Sequence, residues 1–304
     1  MLLAGVNPAD DAAVYSLDDG RALVFTVDYF TPIVDDPFDY GYVAAVNSMS
    51  DIYAMGGNPI LALNVAGFPQ ESIPPWVMAE ILKGGGAACM DEGVVIGGGH
   101  TISTPEILYG LAVLGTVESE KIVTKSNARP GDVLLLTKPI GLGVISTAAK
   151  AEAAEKEWLD ASLASMRKSN KDAAELMTEL GVLGGTDITG FGLLGHALEM
   201  ARASGVVLSF YFSKIPLLPG AVESVKEEYV PGGLLKNLDF AEDYFVVGEG
   251  IENYMKLLFA DPQTSGGILM AVPPDKVGEA TKRLPGTAAV GEVVEGAPKV
   301  SLEP

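Results

Sequence analysis

The chain has 304 residues, 48% apolar and 20% charged, with 36 Gly, 19 Pro and a formal net charge of −20. That length suits two cores better than one, the composition excludes a disordered or fibrous chain, and the negative field disfavours nucleic acid and anionic membranes as partners. A single cysteine, Cys89, forms no internal disulfide and makes a reducing cytoplasm the default compartment. Residues 1–7 lack the basic and apolar regions of a signal peptide, and no run approaches the ~20 apolar residues of a membrane span.

The predicted elements alternate between strand and helix. Residues 22–30 read as a strand, 39–56 as a helix, 60–66 as a strand, and Pro74 and Pro75 open a helix running to about Glu92. Residues 93–101 read as a strand entering a glycine loop, and 107–117 as a further strand. The turn-rich stretch KSNARPGD (125–132) marks a boundary, giving domains 1–128 and 129–304. The second half is predicted to contain a strand and glycine turn (133–143) and helices at 143–154, 158–180 and 192–205, the last closed by Gly205. Strands at 206–212, 266–272 and 287–294 follow, with a short helix near 275–284. Both halves mix strands and helices, which predicts two α/β-type domains.

Acidic residues are unevenly placed. Residues 1–82 hold eleven Asp and Glu but one cation, Arg21. The helix 41–59 is apolar on nearly every face and should be buried, yet it carries Asn47 and Asp51 four residues apart on one side. A buried carboxylate is costly unless it is paired or binds a metal. Asp28 interrupts an apolar strand and faces away from Val27 and Tyr29, alongside Thr26 and Phe30; a surface aspartate is the ordinary reading there. Asp35, Asp36 and Asp39 fit turns and a helix N-cap.

Other signals are weaker. Gly190, Gly192 and Gly195 form a GxGxxG, but the next strand ends in Ser213 and Lys214, not an acid, so the dinucleotide reading is rejected. Asp187 sits in a loop just before these glycines, which would let the backbone approach a ligand. GGGHT (97–101) could offer backbone N–H groups to an anion or be a plain turn. His100 and His196 lack metal spacing, which speaks against zinc, and His196 reads as structural. Cys89 reads as an inert buried thiol. No Walker A sequence is present. Two carboxylates 4 Å apart repel by roughly 4 kcal/mol at an effective dielectric near 20. Mg²⁺, which takes carboxylate and phosphate oxygens together, would let such a chain bind a nucleotide.

Five stretches, DDAAVY (10–15), SDIYAMGGNP (50–59), GGGHT (97–101), TDITGFGLLGH (186–196) and DPQTSGG (261–267), together resemble the selenophosphate synthetase (selenide, water dikinase) family. The resemblance runs in order from about residue 5 to about 294. The wider aminoimidazole ribonucleotide synthetase-like superfamily also includes thiamine-monophosphate kinase and hydrogenase-maturation proteins. The resemblance implies an α/β (α+β) fold of two domains, the N-terminal one forming a dimeric β-barrel and the C-terminal one α/β, with ATP between them. It implies synthesis of selenophosphate from selenide and ATP, with AMP and phosphate released, in a cytoplasmic homodimer. Mg²⁺ is required and a monovalent cation such as K⁺ assists.

Carried onto matching positions, Asp11, Asp51 and Asp187 hold Mg²⁺. Asp10, Asp28 and Asp51 lie at the nucleotide, and Gly99, His100 and Thr101 line its site, on the same chain or across the dimer. The spacing suggests that Asn47 supports Asp51. The family's glycine-rich segment with a catalytic Cys or selenocysteine and Lys is expected upstream of Met1. No catalytic residue of that kind is therefore assigned within 1–304, Cys89 is not put in its place, and the chain is expected to bind Mg–ATP with impaired synthesis. A thiamine-phosphate kinase-like enzyme and a non-catalytic ATP-binding homologue stay open as alternatives.

Overall fold

The computed structural model describes residues 1–6, 9–17 and 19–304. The chain divides into two units: Met1–Ile122 with Met166–Lys171, and Val123–Ser165 with Asp172–Pro304.

The first unit contains β1 (Leu2–Val6), β2 (Ala9–Ser16), β3 (Arg21–Phe30), α1 (Pro37–Ala54), β4 (Asn58–Phe68), α2 (Pro75–Glu92), β5 (Val95–Ser103) and β6 (Leu108–Glu118). Its six strands form an open sheet in the order β1-β2-β3-β6-β4-β5, not a closed barrel. Helix α1 begins at Pro37, two residues before the predicted start at 39. Asp36 is the N-cap, its Oδ1 accepting the Asp39 N–H at 2.9 Å, and Pro37 opens the first turn. Because α1 is apolar almost all round, it is buried, packing on β6 and β3 and against α2. The two helices meet backbone to backbone. A Cβ on Gly41 would lie 2.0 Å from the Ile81 carbonyl oxygen, and one on Gly84 1.9 Å from that of Phe38.

Along β3 the burial alternates. Ala22, Val24 and Thr26 face the helices, while Phe25, Val27 and Tyr29 face outward and are exposed. Asp28 follows the inward parity, opposite Leu111 of β6, so it is not the surface aspartate of the ordinary reading. The predicted glycine loop at 97–101 is instead part of edge strand β5, paired in parallel with β4. Glycine makes this pairing feasible: Gly99 has φ +151°, and a Cβ there would lie 2.2 Å from the Asn64 oxygen.

The second unit's elements, in chain order, are β7 (Val133–Leu136), α3 (Leu142–Lys150), α4 (Lys156–Arg167), α5 (Lys171–Leu180), β8 (Gly184–Asp187), α6 (Gly192–Ser204) and β9 (Val207–Tyr211). Then come α7 (Ala221–Lys226), α8 (Gly232–Ala241), β10 (Phe245–Val247), α9 (Asn253–Phe259), β11 (Ile268–Val272), α10 (Val277–Arg283), β12 (Ala288–Val294) and β13 (Lys299–Glu303). Met166 and Arg167 at the end of α4 and Lys171 at the start of α5 are residues of the first unit. The mixed sheet has the order β10-β13-β9-β12-β7-β11-β8, and its buried strands β7 and β11 are continuous apolar runs.

Two expectations change here. The helix predicted over 158–180 is broken at 168–170, where Ser169 Oγ accepts the Lys171 N–H at 3.1 Å and starts α5 afresh. Asp187 ends strand β8 and does not lie in a loop. Strand β8 is an edge strand antiparallel to β11 and is not adjacent to β9, so the GxGxxG that follows it belongs to no parallel βαβ unit.

Candidate active site

Two rungs join α1 to β3. Asn47 Nδ2 donates to Asp28 Oδ2, and Thr26 Oγ1 donates to Asp51 Oδ2 at 2.5 Å. The rungs match in length for a geometric reason. Four residues of helix rise about 6 Å and two residues of strand span about 6.6 Å, so residues 47 and 51 meet residues 28 and 26 in turn on antiparallel elements. Between the rungs Ser48 Oγ donates to the Asp28 carbonyl at 2.9 Å and accepts the Leu111 N–H at 3.1 Å, fixing helix, β3 and β6 together.

Each of the two carboxylates accepts a hydrogen bond from a neutral side chain, Asp28 from Asn47 and Asp51 from Thr26. Burial raises the Asp28 pKa above the usual carboxylate value, and the bonds from Asn47 and the Tyr29 N–H work against that rise. Asp10 and Asp11 stand at the start of β2, next to β3 in the sheet. Both are half-buried, and the Asp11 N–H donates to Asp10 Oδ1 at 3.1 Å.

Gly99, His100 and Thr101 are exposed on β5. Strands β6 and β4 separate them from β3, roughly 14 Å at the usual strand spacing. In the second unit Asp187 is 1% exposed and pairs with Ile268 in the β8–β11 ladder. His196 is buried, its Nε2 lying 3.1 Å from the Thr189 hydroxyl, and burial, helped by Lys125, pushes its pKa down to about 3, leaving it neutral. Burial pushes the Cys89 thiol up to about 11, so it is inert at neutral pH.

Among the described residues no group of three or more His, Cys, Asp or Glu side chains is arranged to hold a metal by itself. The donor set of the first unit is one of hard oxygens. That chemistry fits Mg²⁺, which keeps several waters and binds through one or two carboxylates together with substrate phosphates.

Sequence reasoning placed Thr26 beside Asp28 by the period of the strand but gave it no role, and its bond to Asp51 appears only in the structure. It also missed Asn170, which is buried and donates to Ser50, the residue before Asp51, at 2.9 Å. No local pattern points to that contact, since 120 residues separate the pair.

The family models named AIR synthase related protein, N-terminal domain, and AIR synthase related protein, C-terminal domain, match residues 9–117 and 129–302. The selenide, water dikinase of Caldanaerobacter subterraneus subsp. tengcongensis is 47% identical over 302 residues, covering 99% of this chain and 87% of that protein. The chain belongs to the selenide, water dikinase family. The Burkholderia pseudomallei family member is 42% identical over 306 residues, covering 99% of this chain and 86% of its own. Thiamine monophosphate kinase from Aquifex aeolicus shares the fold, with a TM-score of 0.72 at 19% identity over 96% of this chain and 90% of its own. Hydrogenase maturation protein HypE, solved in complex with ATP, has a TM-score of 0.70 at 17% identity, covering 96% of this chain and 84% of its own. At such identities these two likenesses concern the fold alone. No helix among the described residues is long and apolar enough to cross a membrane.

Proposed function

We propose that the chain makes selenophosphate from selenide, ATP and water, releasing AMP and orthophosphate. The observation that carries this reading is the 47% identity to a selenide, water dikinase along nearly the whole chain. Selenide forms the Se–P bond at the γ-phosphorus as the bond to the β-phosphate oxygen breaks, and water then splits the ADP left behind into AMP and phosphate. Such transfer depends mostly on positioning and charge neutralisation.

In this reading Asp11, Asp51 and Asp187 hold Mg²⁺, which when bound offsets charge on the phosphates. Asp10, Asp28 and Asp51 lie at the nucleotide, and Gly99, His100 and Thr101 contribute from β5, with K⁺ as an assisting ion. What supports the assignment in the first unit is the pair of carboxylates fixed on one face by Thr26 and Asn47. We further propose a homodimer in which two first-unit sheets close a barrel. The outer face of that sheet exposes Tyr15, Phe25, Val27, Tyr29, Leu61 and Leu63, and apolar patches of this kind mark association surfaces. Light scattering should give the mass of two chains, and Phe25→Lys with Val27→Lys should give one.

The test of the reaction is product identity. Incubation with Mg–ATP and selenide should give AMP, orthophosphate and a selenophosphate phosphorus resonance, with no phosphorylation of thiamine monophosphate. ADP formed only with thiamine monophosphate would overturn the reading in favour of a vitamin-precursor kinase. Asp51→Asn should abolish Mg-dependent ATP binding by calorimetry while leaving the fold intact.

A further inference from the structure

The segment DPQTSGG (261–267) has no part in the chemistry above, yet its residues tie together several elements of the second unit. Gln263 is 3% exposed. Its Oε1 accepts the N–H groups of Gly141 at 3.2 Å and Leu142 at 3.1 Å. Its Nε2 donates to the Asp261 carbonyl at 2.7 Å and to Asp261 Oδ2 at 2.9 Å. A side-chain amide has two acceptor sites and two donor hydrogens, so its capacity is spent and none is left for a ligand. Asp261, fully buried, accepts the Gly143 N–H at 2.9 Å as well. The pair thus caps the first turn of α3, whose N-cap residue is Gly141 and has no side chain to do so.

The same segment holds a second element through its main chain. The Gln263 N–H donates to the Thr189 carbonyl at 3.0 Å, and the Ile188 N–H donates to the Gly267 carbonyl at 2.8 Å. Asn237 Nδ2 bridges the carbonyls of Gly190 and Ala260, at 3.0 Å each. Gly266 fits beneath this turn because it lacks a Cβ, which would lie 2.1 Å from the Ile188 oxygen. Residues 188, 189 and 190 are therefore each tied to residues 237–267, and they directly follow Asp187.

We propose that Gln263 is a positioning residue for Asp187: it locks the start of α3 to the 188–190 turn and so fixes where the Asp187 carboxylate stands. The inference rests on the metal role proposed for Asp187. A ligand must be held to within about 0.5 Å of its productive place, and losing an outer partner of a ligand typically costs 10–100-fold in metal affinity.

The test compares Gln263→Ala, Asp187→Asn and Val290→Ala, a core variant of the same unit (Val290 is fully buried in β12) that lowers thermal stability without touching the clamp. ATP binding is titrated against Mg²⁺ by calorimetry, and exchange of the Ile188 amide is followed by mass spectrometry. Gln263→Ala should raise the half-saturating Mg²⁺ at least about tenfold and speed Ile188 exchange, while Val290→Ala leaves the Mg²⁺ dependence unchanged. If Asp187→Asn shifts the Mg²⁺ dependence and Gln263→Ala does not, the positioning role is overturned alone. If Asp187→Asn has no effect, the metal reading falls and the positioning role with it. If Gln263→Ala does not fold, native-state exchange of the unmodified chain decides: Leu142 and Ile188 should open together with equal protection, and unequal protection overturns the clamp.

Discussion

Asn47 and Asp28, nineteen residues apart, meet across the α1–β3 contact with the amide of one donating to the carboxylate of the other. Asn47 lies one helical turn before Asp51, so the same helix face carries both the candidate ligand and the donor that holds its neighbour. Asn47→Ala removes that donor from a carboxylate whose pKa burial already raises. Leaving a buried acceptor without its partner costs roughly 1–3 kcal/mol. Urea denaturation should show a loss of that size, and calorimetry should show weaker Mg–ATP binding. Asn47→Asp should be worse than Asn47→Ala above neutral pH, because it sets two carboxylates against each other.

The glycine triplet 84–86 of α2 should respond in opposite directions. A Cβ at Gly84 would sit 1.9 Å from the Phe38 oxygen, whereas one at Gly86 meets nothing within 4 Å. Gly84→Ala should destabilise by about 1–3 kcal/mol or more. Gly86→Ala, in open space inside a helix, should stabilise by about 0.5–1 kcal/mol. Thermal denaturation of the two variants checks both signs.

His196 gives the second unit a defined pH dependence. Its folded pKa of about 3 lies below the ordinary 6.5, so between those values the unfolded chain binds a proton that the native chain refuses. The stabilising contribution is present above about pH 6.5 and is lost as pH falls towards 3, by at most about 1.4 kcal/mol per pH unit. Melting curves from pH 8 to 4 should show the stability gap between the native sequence and His196→Gln closing as acid is added. A gap that stays constant would show that His196 takes up its proton in the fold.

The strap formed by Met166–Lys171 should matter more through its buried end than its exposed one. Asn170, 3% exposed, bonds Ser50, while Arg167 is partly exposed where it pairs with Asp39 at 2.7 Å and lies over the Tyr42 ring. Asn170→Ala should cost roughly 1–3 kcal/mol and Arg167→Ala about 1 kcal/mol or less, as read by denaturant midpoints.

Much of this was legible in the chain. The strand at 22–30, the helix opened by Pro75, an N-cap among the aspartates 35–39 and the stop at Gly205 follow from local spacing and from residues whose backbone preferences are strong. Residues 213–265 yielded no predicted element, although α7, α8, β10 and α9 lie there. These pieces are three to ten residues long, too short for a period to declare itself. The break at 168–170 follows no interruption of the helical period; there Ser169 caps α5 and Asn170 bonds the distant Ser50.

By itself the sequence determined the parity that sets Asp28 and Thr26 opposite Val27 and Tyr29, the face shared by Asn47 and Asp51, and the motifs that assign the family. These depend on the repeat of a strand or helix and on residue identity, and both are local. Which face of β3 is covered, which carboxylate Asn47 reaches, and that Asp261 and Gln263 cap a helix 118 to 122 residues away were decided only by the tertiary structure. A hydrogen bond is selected by distance and direction in space, and elements far apart along the chain acquire those only when the sheets and helices pack.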